Sequence, residues 1–337
     1  MKRALSLLII LIFAAAAAWG GYWYWGASKL RTGFEEWFTA RQADGWQAQY
    51  ADFTLQGFPN RFDSTWTGLK LGDPDTGWAV EMPLFQLLML SYQPQHVIAV
   101  ADHSFLLDTP VDSYVVTNED LRASLITDAS PTLELQRATV IGKGMDIARG
   151  SRSDPLHADE LRLGVERVAE PATYHLGLAA TALTPPEGWR NRISEGLALP
   201  DALSDVRMDM TASFNRPWNI HALDDSRPQP RRLELKTARA QWGEMAIEAT
   251  GTLDVDDEGT PEGEVSVKAE HWREMLQMAV SSDALNADVA KAIEQGLTLL
   301  AGFSGNRNSL NVTLTFTGGM MRLGPIPIGP APRLILR

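Results

Sequence analysis

The sequence predicts a mainly β protein, a long curved antiparallel sheet with a few covering helices, preceded by one N-terminal transmembrane helix. Three observations predict this class: an uncharged apolar run at residues 4–25, many short segments of alternating hydrophobicity divided by Gly, Pro, Asn and Asp, and one region of helical apolar period at residues 271–300. The 337 residues are enough to bury a substantial core beyond the apolar run.

The apolar run has the length of a membrane span. At ~1.5 Å per helical residue, Ala4–Trp25 matches the ~30 Å hydrocarbon layer of a bilayer. Lys2 and Arg3 precede it, so we expect the amino terminus to stay in the cytoplasm and the rest of the chain to lie on the far side. The residues expected to anchor the chain are Leu7, Leu8, Ile9, Ile10, Leu11, Ile12, Phe13, Trp19, Tyr22, Trp23, Tyr24 and Trp25.

A cleaved secretory signal is the alternative interpretation of this run. Ala14–Ala18 supplies the small residues that a signal peptidase accepts. Against it, the run is longer than the ~7 to 15 apolar residues of a typical signal, and the aromatic residues that follow are typical of the headgroup belt of a retained anchor.

The first half of the remaining chain is predicted to be a short helix followed by strands. Leu30, Phe34, Trp37 and Phe38 recur at helical spacing and predict an amphipathic stalk that ends near Gly45. Strands are predicted at 51–55, 64–71, 78–82, 97–100, 105–107, 114–117 and 121–126, with turns at 57–62 and 72–77. The run 83–90 is apolar almost throughout, which fits either a buried strand or a short helix.

The second half is predicted to continue the antiparallel sheet. Strands are expected at 133–140, 161–165, 174–183, 206–214, 232–242, 245–255, 264–269 and 310–316, and helices at 188–203 and 271–300. The second helical region is expected to break near 281–283, with Asp283 as an N-cap. Four prolines predict that the tail 323–334 runs extended along a sheet edge without a full ladder.

These elements divide the chain into three predicted parts: a transmembrane anchor at 1–27, the stalk helix at 28–45 and a periplasmic antiparallel β domain at 46–337. A subdomain seam near 185–205 is a further interpretation of the helical pattern there.

Composition and motifs exclude several functional classes. The net charge of −12 and the scattered Lys and Arg argue against nucleic acid as a partner, and the lack of cysteine excludes disulfides and thiolate chemistry. The six histidines, at 96, 103, 157, 175, 221 and 271, have no metal-ligand spacing. We therefore predict no metal, no cofactor and no catalytic residue. An unrecognised hydrolase is the less favoured alternative, because catalytic groups that meet only in the fold leave no linear trace.

Two motifs partly match the sequence patterns of functional sites, a calcium-binding loop and a nucleophile elbow. Asp254, Asp256, Glu258 and Gly259 begin like a calcium-binding EF-hand loop, but Val265 occupies the twelfth position, where Glu is required, so a hairpin turn is favoured. Gly302–Gly305 lacks the spacing of a nucleophile elbow.

Three segments carry a resemblance to a known family. The runs at 57–62 (GFPNRF), 83–99 (PLFQLL, then SYQP and HVIA) and 323–330 (LGPIPIGP) resemble the family catalogued as domain of unknown function 2125. The resemblance spans nearly the whole chain and implies an N-terminal anchor followed by a mostly β exported domain in Gram-negative bacteria, with no established activity. Residues 232–323 are more loosely similar to AsmA-like envelope proteins, which implies lipid binding only by analogy.

Together these features lead to a functional hypothesis. We expect a non-enzymatic, single-pass protein of the bacterial inner membrane whose periplasmic sheet binds or carries a lipid or another hydrophobic ligand. The residues predicted to line an apolar groove are Leu84, Phe85, Leu87, Leu88 and Leu90. The alternative is an envelope scaffold or assembly partner, in which the same apolar faces make a closed core.

Overall fold

The computed structural model describes residues 2–150, 154–169, 171–194, 199–222, 227–282, 286, 290–291, 294–298, 308–324 and 326–336. The chain divides into two compact units, the first comprising Met1–Ile126 and Arg149–Ser151, the second Thr127–Ala148 and Arg152–Arg337. The predicted class is confirmed: mainly antiparallel β, a few helices and one long apolar N-terminal helix. The predicted three-part division and the seam near 185–205 stay predictions.

The first unit contains one long helix and eight strands. The helix α1 is Lys2–Ala43. The strands are β1 Gln47–Gln49, β2 Asp52–Gln56, β3 Arg61–Asp73, β4 Trp78–Leu90, β5 Gln93–Ala101, β6 Ser104–Asp108, β7 Ser113–Thr117 and β8 Asp120–Thr127. β8 ends one residue beyond the unit.

β3 and β4 form the centre of the first unit. They pair along almost their whole length, from Arg61 opposite Leu90 to Asp73 opposite Trp78. β1 and β2 both pair with the other edge of β3, while β5 and β6 share the other edge of β4. The ambiguous run 83–90 is therefore a strand, because its backbone groups are satisfied by ladders on both sides.

The helix α1 packs on one face of this sheet. Near its middle, Trp23 and Ala27 cover Phe62, and near its end Phe38 packs with Ala48 and Trp66. Gly26 allows the close approach, since a Cβ at that position would lie 2.8 Å from the Phe62 ring. Three residues of the predicted amphipathic stalk, Leu30, Phe34 and Phe38, thus pack on the sheet of the first unit. The helix ends where predicted, with Gly45 in the left-handed conformation just beyond it.

Across its described residues, the second unit is a meander of ten strands. Its strands are β9 Leu135–Arg149, β10 Leu156–Ala169, β11 Thr173–Thr181, β12 Asp205–Phe214, β13 Pro230–Trp242, β14 Met245–Val255, β15 Pro261–Glu270, β16 Ser309–Thr317, β17 Met320–Leu323 and β18 Ile326–Pro330. Each strand pairs antiparallel with the next along the chain. Antiparallel neighbours can be joined by short turns, as between β13 and β14, whereas longer segments that contain helices join β11 to β12 and β15 to β16.

Two helices cover part of this sheet. α2 is Glu187–Ile193, shorter than the predicted 188–203, and α3 is Trp272–Ser281. α3 packs through Trp272 on Ala269 and Leu310, and its Met275 also contacts a second cluster around Trp242. The predicted helical pattern after α3 is only partly described, with helical residues at 290–291 and 294–298, and the predicted cap at Asp283 lies outside the described residues.

The C-terminal tail is extended and joins a ladder over only part of its length, as predicted. β18 pairs with β17, so the segment does join a ladder despite its prolines. It can do so because the register shifts between Met321 and Arg322 and places Pro327 opposite Arg322. Residues 331–336 continue without regular secondary structure.

Candidate apolar binding site

The second unit contains an apolar cavity of about 670 Å³. It lies against one face of β10 to β13, and the C-terminal tail forms one of its walls. The lining residues are Leu135, Val165, Tyr174, Leu176, Met210, Ala212, Phe214, Trp218, Pro230, Leu233, Arg333, Leu334, Ile335 and Leu336. Its volume is in the range of about 300 to 1,000 Å³ that is typical of sites for small hydrophobic molecules.

Strand alternation explains why these side chains share one face. Met210, Ala212 and Phe214 are every second residue of β12, and the register places Leu176 opposite Met210 and Leu233 opposite Ala212. Since side chains at i and i+2 of a strand project to the same side, the apolar period found in the sequence becomes a continuous apolar surface across neighbouring strands.

Three aromatic residues stiffen one end of the cavity. Tyr174 is fully buried, and its hydroxyl oxygen accepts a hydrogen bond of 3.1 Å from the backbone N–H of Trp218. The Phe214 ring contacts both, with centroid distances of 5.8 Å to Tyr174 and 5.6 Å to Trp218. Because the buried polar end of Tyr174 is hydrogen-bonded, its ring can face the cavity without an unsatisfied donor or acceptor.

The tail is held in place by hydrogen bonds at two points. The backbone N–H of Leu334 donates to the carbonyl oxygen of Gly259 at 2.8 Å. Further along, the amide side chain of Gln229 both accepts from the N–H of Leu336, at 3.0 Å, and donates to its carbonyl oxygen, at 2.8 Å. This pair of hydrogen bonds resembles the pairing of two strands and keeps the apolar side chains of the tail beside the cavity.

Arg333 is the one charged residue among the described residues that line the cavity. Its guanidinium donates to the carbonyl oxygen of Glu258 at 3.4 Å. Hydrogen bonds from Thr260 lower the pKa of the Asp256 carboxyl, and the donor from Glu258 and the charge of Arg333 add to this effect. The cavity thus combines an apolar wall with one exposed cation, an arrangement suited to an amphiphile with an acidic head.

The predicted groove residues lie in the first unit and do not share one face. Phe85 and Leu87 pack beneath α1 with the cluster around Trp66. Leu84, Leu88 and Leu90 occupy the alternate positions of β4, and Leu84 is exposed. The structure therefore brings two of the five together in a core; the proposal that they line a ligand groove stays a prediction.

The predicted anchor residues fall into two groups. Leu7, Leu8, Ile9, Ile10, Leu11, Ile12 and Phe13 are all exposed, as are Trp19, Tyr22, Tyr24 and Trp25, whereas Trp23 is buried against Phe62. The helix that carries them is long and apolar enough to cross a membrane. The exposure of residues 7–13 is what a lipid-facing segment requires, because their apolar side chains are left uncovered by the described part of the protein.

The histidines and the EF-hand-like loop have structural partners. His157 lies between Asp146 and Asp159, with one carboxylate on each ring nitrogen, and His175 lies beside Asp209. Within the described part of the chain, no three such side chains are placed to hold one metal ion. The loop is the turn of the β14–β15 hairpin, as predicted: the Asp256 carboxylate accepts from the N–H groups of Glu258 and Thr260. Gly302–Gly305 lies outside the described residues.

Fold and site together define a class of protein: one N-terminal helix able to cross a membrane, joined to an antiparallel β body that contains an apolar cavity. The chain belongs to the family described as "Uncharacterized protein conserved in bacteria (DUF2125)", whose model matches residues 23–332. The match confirms the family resemblance seen in the sequence. Neither the comparison with curated proteins nor that with solved structures found a match.

Proposed function

We propose that this protein is anchored in the bacterial inner membrane by α1 and binds the acyl chain of an acidic lipid or a related amphiphile in the cavity of its second unit. The observation that carries the proposal is the apolar lining of a 670 Å³ cavity with a single guanidinium beside it. Burying an acyl chain against this lining would gain about 0.8 kcal/mol for each CH₂ group removed from water.

Location and orientation follow from the amino terminus. Lys2 and Arg3 favour the cytoplasmic side for the start of the helix, and the β body then lies in the periplasm. A body fixed beside the bilayer has a ready source of amphiphiles, so a binding role needs no soluble carrier to supply the ligand.

The proposed role is non-catalytic. Arg333 can attract and orient an anionic head through charge-assisted hydrogen bonds, but it is a poor proton donor or acceptor at neutral pH because it is always charged. Polar chemistry at this site therefore supports recognition of a ligand and its orientation.

An envelope scaffold is the second candidate, and one observation favours it. Leu334, Ile335 and Leu336 already contribute to the cavity wall, so the tail could complete a core whose remaining space has no ligand. The two candidates differ in whether an added amphiphile enters the cavity.

A fluorescent fatty acid distinguishes them. We would titrate it against the full-length protein in nanodiscs, then repeat the titration with Leu233→Trp on β13 and Leu176→Trp on β11, which fill the cavity from the two strands that flank β12. The control is Ile247→Trp, at an exposed position on β14. Leu253 of β14 lies opposite Leu233, and Ile247 is six residues, about 20 Å, from Leu253 along the strand.

We expect saturable binding by the original protein and by Ile247→Trp, and weakened binding by both cavity variants. Equal binding by all four proteins, or binding no greater than that of nanodiscs without protein, would reject the cavity as the site and favour the scaffold. Far-UV circular dichroism of each variant shows whether the sheet is retained.

A further inference from the structure

The membrane span and the β body overlap along α1. Residues 4–28 carry no charge, and a hydrocarbon layer of ~30 Å needs about 20 helical residues. Counted from Ala4, such a span reaches to about Trp23. The sheet of the first unit already contacts the helix at Trp19. Part of the β body therefore lies at the depth where the helix leaves the membrane.

The parts of the body at this depth are two turns, residues 57–60 and residues 91–92, which we call the docking turns. Trp19 donates its indole N–H to the carbonyl oxygen of Pro59 at 3.0 Å, and the Tyr22 hydroxyl donates to that of Ser91 at 2.6 Å. The Ser91 N–H donates to the carbonyl oxygen of Asn60, which ties the two turns together.

These bonds change the role of the aromatic belt. A belt residue in a simple anchor directs its polar edge towards headgroups and water. Here the donors of Trp19 and Tyr22 are used by the docking turns, so both rings fix the turns to the helix. The turns cannot move away from the membrane surface unless these bonds break.

The docking turns present aromatic side chains and contain no charged residue, and Arg61, directly after the first turn, pairs with Asp63. Phe58 is 55% exposed and Tyr92 61%, and the Phe58 ring lies 5.7 Å from that of Tyr24, also exposed. The segments 55–60 and 91–95 contain no Asp, Glu, Lys or Arg, in a chain with a net charge of −12. An anionic membrane would repel the rest of this acidic surface, but not these two turns.

We propose that the docking turns insert Phe58 and Tyr92 into the headgroup layer of the bilayer and hold the first unit against the membrane. The partner is the lipid surface itself. β4 runs away from this contact for 13 residues, about 40 Å. The β3–β4 turn at Gly77 and the adjacent β6–β7 turn, which contains Val111, therefore lie at the far end of the sheet from the membrane. This inference depends on the membrane anchor, and not on the cavity of the second unit.

The absence of cysteine makes the test direct. Single cysteines replace Phe58, Tyr92, Val111 and Phe13 in turn in the full-length protein, and each is labelled with an environment-sensitive fluorophore. The protein is placed in vesicles of phosphatidylethanolamine and phosphatidylglycerol that contain a lipid with a nitroxide near its headgroup. Phe13→Cys reports the span itself, and Val111→Cys, at an exposed position 83% accessible, is the control distant from the membrane.

We expect the nitroxide lipid to quench the labels at 58 and 92 several-fold more than the label at 111, and aqueous iodide to give the opposite order. If the label at 13 is protected from iodide while those at 58 and 92 behave like that at 111, the proposal is wrong although the chain is anchored. If the label at 13 is also open to iodide, the anchor itself fails and the proposal falls with it. Labels at two separate turns guard against local damage by either substitution.

Discussion

The contact of Trp23 with Phe62 provides the sharpest test of how α1 stabilises the first unit. Trp23 is only 7% exposed, its ring stacks on that of Phe62 at 5.7 Å, and its indole N–H donates to the carbonyl oxygen of Arg61 at 2.7 Å. We predict that Trp23→Ala destabilises the first unit, because it removes the ring that stacks on Phe62 and the donor to the carbonyl oxygen of Arg61.

The size of the effect follows from the burial of the ring. Removal of a buried Trp or Phe side chain costs about 3 to 5 kcal/mol, a range that includes the cavity left behind. At about 1.4 kcal/mol per tenfold change, the equilibrium for opening the sheet rises by about a hundredfold to a few thousandfold. Trp25→Ala is the matched control: Trp25 lies on the same helix, loses the same side chain at the membrane interface, and is 63% exposed.

Hydrogen exchange measured by mass spectrometry is the assay. The full-length variants are compared in nanodiscs, and the amides of β3 are followed, since their exchange reports the opening of this unit. Trp23→Ala should speed their exchange by the stated factor and Trp25→Ala should leave it nearly unchanged. Equal exchange in the two variants would refute the claim that α1 is part of the core.

Two further predictions concern the second unit. Arg167 is only 8% exposed and donates to Glu134 at 2.6 Å, so Arg167→Met should lower the free energy of unfolding by about 1.5 to 3 kcal/mol. Arg137→Met breaks an exposed pair and should lower it by less than about 1 kcal/mol. Equal losses in thermal denaturation would contradict the argument from burial. Hydrogen bonds to Asp146, and then to Asp159, raise the pKa of His157 above 6.5, so its contribution to stability is complete below pH 6.5 and is lost as the pH rises through the raised pKa. An NMR titration of His157 should show a midpoint above 6.5 that falls towards 6.5 in Asp146→Asn. A midpoint at or below 6.5 in the original protein would contradict this prediction.

Local patterns predicted much of the second unit correctly. The alternation at Met208, Met210 and Ala212 identified the strand β12, and the turn residues around Gly243 identified the β13–β14 hairpin. These features depend on neighbours in sequence, and antiparallel pairing of consecutive strands adds little that is non-local.

The cavity could not be predicted in the same way. Its wall requires the contact of Gln229 with Leu336, which are 107 positions apart, and no local pattern encodes that distance. An alternating strand shows which residues share a face, but not whether that face is filled by a neighbour or left open. The apolar run of β4 therefore predicts a groove at residues 84–90, whereas the cavity of the second unit is lined by strands and a tail that are far apart in the sequence.

The helix α1 shows a second limit. Trp23 and Trp25 have the same residue type and nearly the same position, but one is buried and one exposed. Aromatic residues at a membrane interface and aromatic residues in a core carry the same signal in a sequence, because both combine a large apolar ring with a polar edge. The burial of Trp23 depends on its contact with Phe62, which only the folded structure shows.

In-cell photocrosslinking tests the central claim most directly. A photoreactive amino acid replaces Met210 inside the cavity or, as the control, the exposed Ile247 on β14. After irradiation of living cells, the intact protein is weighed by mass spectrometry. A ligand-carrying cavity predicts a lipid-sized adduct at position 210 and little at 247. No adduct at 210, or equal adducts at both positions, would contradict the proposed binding of an amphiphile in the second unit.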